Sequence, residues 1–232
     1  GRPSNKLGIG VFNAVSQVEK ATLKNNITGT DSSIVTEPLT NYNIIVLDQA
    51  LKNRSYLTFT NTSVIREASE KDANVSAVDF SFFDKKNSFN TRGAIRYSKV
   101  FGPGGYDGYS TLLRLGKVSG AWQYYFQHTL ESDKYDINDL GLNFFNNEIN
   151  YSGQVSYNQF TPKGNFLTYN YKLSASYGWL YKPYSFRFLR LTAEGFWVFR
   201  NFWDVSFSLG SQPYGENDYF VLNTPGRYAK RP

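Results

Sequence analysis

The chain has 232 residues, 41% of them hydrophobic and 18% aromatic, with a formal charge of +6, enough for one large β domain or two small ones with a core of its own. The absence of cysteine removes disulfides, thiolate metal sites and cysteine nucleophiles together. Its 25 basic residues are scattered among 19 acidic ones, a pattern that does not select nucleic acid as a partner. Apolar runs such as "IIVL" at 44–47 fall far short of the ~20 residues a spanning helix needs, and "GRPSNKLGIG" carries no secretory leader.

Alternating segments separated by turn residues recur from end to end, the mark of an all-β meander. The pattern predicts strands over 7–18, 42–51, 55–66, 75–84, 88–100, 109–117, 121–131, 148–160, 165–179, 184–199 and 202–210, with a twelfth starting at Asp218; alternation is weakest in the first three. "KNR", "DKKN", "VSG", "TPKGN" and "RN" between them are short and polar or glycine-containing, as hairpins require. The connections at 20–41, 67–74, 101–108 and 132–147 are longer than those at 52–54, 85–87, 118–120 and 161–164, and the two kinds alternate. In an up-and-down meander this gives one tight end and one elaborate end, as in outer-membrane barrels.

The two faces of the strands tell the same story. In "FLRLTAEGFWVFRN", Leu189, Leu191, Ala193, Gly195, Trp197 and Phe199 take every second place and meet lipid, while Arg190, Thr192 and Glu194 face the lumen. The same parity assigns Asp79, Arg92, Arg96, Arg114, Lys172 and Asp204 inward. Inward charges are cheap only when paired or wet, and a cross-strand ionic filling is favoured over a selective channel lining. A soluble sandwich would also alternate. Against it stand the strand lengths, matching the ~9–11 residues of a membrane crossing, and the aromatics at strand ends: Trp179, Tyr181 and Tyr184, then Trp197, Phe199 and Trp203. Such rings suit the two membrane interfaces.

"LGIGVFNAV", "EPLTNYNIIVLDQALKN", "GYSTLLRLGKVSG" and "YDINDLG" resemble the barrel region of a Bacteroidetes outer-membrane family of unknown function, over most of the chain. Its members resemble one another in carrying a family-nine-like carbohydrate-binding module before the barrel. The resemblance implies a location and an architecture but no established activity. It also implies that the whole of 1–232 is an outer-membrane β-barrel segment of a longer protein, lacking that module, with "GRYAKRP" in keeping with truncation.

Residues able to carry chemistry are few. His128 shares the outward side with Trp122, Tyr124 and Phe126 and reads as an interfacial packing residue; with no Gly-x-Ser-x-Gly elbow in the chain, an outer-membrane hydrolase is disfavoured. "GPGGYDG" at 102–108 lacks the lysine of a phosphate loop and reads as a turn. Asp133, Asp136 and Asp139 in "DKYDIND" lack the glycine and terminal glutamate of a calcium loop and read as turn caps, so neither metal nor cofactor is expected. The expected protein is a non-enzymatic, antiparallel transmembrane β-barrel of the Gram-negative outer membrane, with about 12 strands here within a larger barrel. Its partners are the lipid bilayer and a glycan or other solute. The alternative is a structural or assembly subunit docked to other outer-membrane proteins.

Overall fold

A computed structural model of the chain describes residues 6–67, 71–221 and 227–231. These form strands and connections without a helix: β1 (Leu7–Ser16), β2 (Glu19–Lys24), β3 (Asp31–Glu37), β4 (Thr40–Ala50), β5 (Tyr56–Arg66), β6 (Ala73–Phe83), β7 (Phe89–Val100), β8 (Tyr106–Lys117), β9 (Trp122–Glu131), β10 (Glu148–Gln159), β11 (Phe166–Leu180), β12 (Phe186–Phe199), β13 (Asp204–Ser211), β14 (Glu216–Asp218) and β15 (Ala229–Arg231). One antiparallel sheet runs β1-β4-β5-β6-β7-β8-β9-β10-β11-β12, with β13 and then β14 beside β12, and β15 beside β14. From β4 to β13 every strand pairs with its neighbour in sequence, so the meander is observed. The sheet does not close on itself: among the described residues β1 has β4 as its single strand neighbour, and β13 has β12.

Three expectations are corrected. The connection expected at 20–41 contains a hairpin, β2–β3, whose residues are nearly all exposed. With neither face buried, nothing imposes the strict alternation by which the other strands are recognised. The glycine-rich stretch at 102–108 splits: Gly102 and Gly104 take positive φ in a turn, while β8 has already begun at Tyr106. The strand expected from Asp218 does not start there: Asp218 closes β14, and 219–221 leave the sheet in a bend and turn. Residues 68–70 of the connection expected at 67–74, and residues 222–226 of that expected strand, lie outside the described residues.

The tight and elaborate ends fall as the connection lengths require. The turns at 52–54, 85–87, 118–120, 161–164 and 200–201 follow the strands of one direction and lie at one rim, opposite 101–105 and 132–147. The connection at 181–185 is short yet belongs to the loop-bearing rim. Between β4 and β5, Asn53 and Arg54 both take positive φ (55° and 60°), matching the primed turns whose twist suits a hairpin.

Between β6 and β7 the carboxylate of Asp84 accepts the backbone N–H groups of Ser88 (2.6 Å), Phe89 (2.8 Å) and Lys86 (3.3 Å). The Phe89 bond above all, with those to Ser88 and Lys86, holds this carboxyl below its usual 3.8. A depressed folded value means that the ionised group supports the turn above 3.8 and that the support is lost as pH falls through the folded value. Asp84→Asn is therefore expected to abolish the acid-induced acceleration of amide exchange at Phe89; acceleration that persists in the variant would show that another group controls the turn.

Candidate binding pocket at the loop-bearing rim

Strand register, not proximity in sequence, assembles the polar face. Arg92 stands opposite Arg114, Arg114 opposite Gln127, Gln127 opposite Ser152, Ser152 opposite Ser176 and Ser176 opposite Arg190, in one row across six strands. Residues directly opposite share a face, and the same logic places Asp79, Arg96, Lys172, Glu194 and Asp204 with them through Ala94, Ser110 and Val198. All the charges assigned inward from the sequence therefore lie on one face. This is also the sheltered face: Val64, Ala73, Ala94, Val100, Ser81, Ser98, Ser110 and Ser156 are buried there. Arg96 reaches Asp79 at 2.7 Å, Lys172 pairs with Glu194, and Arg190 reaches Glu216 at 2.5 Å. Arg114 lies 3.8 Å from the centroid of the Tyr125 ring. Arg92, facing the like charge of Arg114, and Asp204 have no ion pair among the described residues.

The opposite face carries the exposed apolar residues. Ile45, Leu47, Phe59, Ile95, Leu113, Phe126, Val155, Leu173, Leu191 and Leu209 all fall on it, with Ile95 61% and Leu209 66% exposed. The rings expected at the interfaces form clusters at its two ends. Trp179 stacks on Tyr184 at 4.6 Å and Tyr181 hydrogen-bonds Tyr109 hydroxyl to hydroxyl at 3.0 Å at the loop-bearing end. At the tight end Phe199 packs on Phe166, and Trp197 stacks on Phe207 while donating to the Tyr171 hydroxyl at 3.1 Å; Trp203 is 73% exposed in the adjoining turn. His128 lies on this same apolar face, 4.9 Å from the Tyr151 ring, away from the charged groups.

The connection at 132–147 folds over the polar face. Gly108 is its seat, because only a residue without a Cβ lets the backbone of Lys134 and Tyr135 come so close; a Cβ there would stand 2.3 Å from the Tyr135 nitrogen. The Ser98 hydroxyl accepts the Asp136 N–H, Tyr106 donates to the Asp136 carboxylate, and Arg66 pairs with Asp139. Asp136 caps a turn as expected, accepting the Asn138 N–H at 2.9 Å, and Asp136 and Asp139 also tie the loop to neighbouring strands, while Asp133 lies 3.7 Å from the Lys182 ammonium in the 181–185 connection. Among the described residues no cluster of His, Asp and Glu has metal-ligand geometry. Tyr135 is 3% exposed, and burial above all pushes its phenol up to about 12.

Between this loop and the β14–β15 hairpin lies a pocket of about 580 Å³. Its floor holds Glu131, Glu148 and Arg187; Glu216, Asp218 and Arg231 line one wall, and Asn143, Phe144, Phe145 and Phe220 the other. Arg187 pairs with Glu148, is 9% exposed, and lies 4.8 Å from the centroid of the Phe220 ring, which in turn packs on Phe145 at 4.9 Å. Arg231 reaches Asp218 at 2.8 Å, and Asn143 donates to Glu131 at 3.1 Å. Sequence reading missed this set. Its signal was faint: Glu131 and Glu148 share the polar parity and stand opposite each other, but across the connection that supplies Asn143 and Phe144.

The fold and the pocket define an antiparallel all-β sheet protein with a charged, sheltered face and a polar–aromatic recess at one rim. The sequence profile of the family described as a domain of unknown function, DUF5916, matches residues 1–232, so the chain belongs to that family. No curated protein matches it. No solved structure matches it either.

Proposed function

We propose that the chain is part of the wall of a Gram-negative outer-membrane β-barrel that binds or passes a glycan or other solute without catalysing a reaction. The observation that carries this reading is the division of one broad sheet into an exposed apolar face with aromatic ends and a sheltered face holding every mid-strand ion pair. In water, so large an exposed apolar surface is unfavourable; against acyl chains it is the favoured arrangement. β11 and β12, of 15 and 14 residues, exceed the ~9–11 needed to cross tilted. The resemblance to a Bacteroidetes barrel region that follows a carbohydrate-binding module supports both the location and a glycan as ligand. A second reading, a docking wall within a larger outer-membrane complex, draws support from the outer strands β1, β13 and β15, each with a single strand neighbour among the described residues.

The four tryptophans provide the test, because Trp122, Trp179 and Trp197 lie on the apolar face and Trp203 next to it. In lipid vesicles their fluorescence is expected to be quenched by brominated phospholipid and largely protected from iodide. Quenching by iodide alone would make the sheet a water-soluble one.

A further inference from the structure

We propose that the recess between the 132–147 loop and the β14–β15 hairpin binds a short neutral oligosaccharide, one sugar ring lying on Phe144. The proposal rests on the reading of the chain as an outer-membrane wall and names the ligand that its loop-bearing rim would take. Three features select this chemistry. The first is charge: of the four carboxylates lining the recess, Glu148 and Asp218 pair with Arg187 and Arg231 within it and Glu216 pairs with Arg190 beside it, while Glu131 accepts from the Asn143 amide, so the recess is rich in polar groups whose charges are matched but for one carboxylate. A strongly charged ligand would find little net attraction there.

The second is hydrogen-bonding capacity. Glu131, Glu148 and Glu216 each engage one oxygen, Oε2, with Asn143, Arg187 and Arg190. Their Oε1 atoms remain able to accept, while the Arg231 side chain, 57% exposed, is able to donate. Acceptors already held in place by partners suit a ligand that offers many hydroxyl donors, since little ordering is left for the moment of binding.

The third is the aromatic wall. Phe144 is 77% and Phe145 56% exposed, and Leu142 beside them 71%, although the loop that bears them is tied down through Tyr135, Asp136 and Asp139. Large apolar side chains held in water on an anchored loop gain by covering the C–H face of a sugar, which is apolar while its rim is hydroxylated. The recess volume of about 580 Å³ lies within the ~300–1,000 Å³ typical of ligand pockets.

The test uses the full chain in lipid vesicles, titrated with maltotriose, xylotriose and mannotriose as neutral probes, and with a trimer of galacturonate and a trimer of glucosamine as charged ones. At least one neutral trisaccharide is expected to bind. Phe144→Ala, at a site too exposed to matter for folding, should weaken binding by about tenfold or more. Glu131→Gln should change it by less than about threefold, because it removes charge and keeps an acceptor for the Asn143 amide. Exclusive binding of the glucosamine trimer, with loss in Glu131→Gln, would overturn the proposal in favour of a cation site, and so would binding of none of the neutral probes. Tryptophan quenching by brominated lipid is read on the same vesicles. If it persists while no neutral sugar binds, the pocket assignment fails and the membrane reading stands; if it is absent, the membrane reading fails whatever the sugars do.

Discussion

Ala193→Arg is expected to cost about 2–4 kcal/mol of refolding stability in lipid vesicles, whereas Thr192→Arg costs about 1 kcal/mol or less. The two positions are adjacent near the middle of β12, so depth and backbone are nearly shared. What differs is the side on which the charge emerges. Ala193 stands opposite Leu173 and Leu209, both more than half exposed on the apolar face, and a guanidinium there gives up its hydration without a partner. Thr192 stands opposite Ser174 and Gly210, with Glu194 next on the same face and already paired to Lys172. A guanidinium at 192 finds hydroxyls, a carboxylate within reach and water. The measurement is equilibrium unfolding in urea from vesicles; equal penalties, or a larger one at 192, would reverse the faces.

The second large effect concerns the loop. Gly108→Ala places a methyl group 2.3 Å from the Tyr135 nitrogen and 2.5 Å from the Lys134 carbonyl oxygen, and backbone cannot yield as a side-chain end can. Overpacking of this kind costs about 1–3 kcal/mol, which the molecule escapes by releasing the loop. Cleavage by trypsin at Lys134 should rise roughly 10- to 100-fold, since in this regime proteolysis follows the open population. Gly153→Ala is the control: its new methyl would meet nothing nearer than the Tyr125 carbonyl oxygen at 3.6 Å, an ordinary contact, so the loop should remain protected. Unchanged cleavage in Gly108→Ala would show that the loop does not dock on β8.

Much of the sheet was legible because its strands have two unlike faces. A period of two needs only the residues of one strand, and Arg92, Arg114, Arg190 and Glu194 could each be assigned a side without knowing any neighbour. Register follows once the turns are short, as at Asn53 and Arg54. The pocket was illegible for the opposite reason. Glu131, Arg187, Glu216 and Phe144 come from four separate stretches, and their meeting depends on how far the 132–147 connection folds back and on β14 replacing β13 beside β12. No local pattern encodes either. Curvature was illegible too: alternation says which way a side chain points, but closure depends on tilt and stagger summed over all strands. The β2–β3 hairpin, exposed on both sides, had no face to reveal it.

The strict neighbour-to-neighbour order of the sheet has a kinetic consequence. From β4 to β13 each strand finds its partner across a connection in the immediately adjoining sequence, so every pairing after the first is a local hairpin closure added to an existing edge. Isolated hairpins form in about 1–10 μs, and growth by successive hairpins never has to search for a distant strand. β1 is the exception, since it must bridge the whole β2–β3 excursion to reach β4. Assembly should therefore zip along the chain from β4 onward, with β1 the last of the long strands to lock. Pulse-labelled amide exchange during refolding would record this as late protection at Phe12 and Ala14, whose N–H groups face β4, after early protection at Ile45 and Asn61, which bond each other across β4–β5.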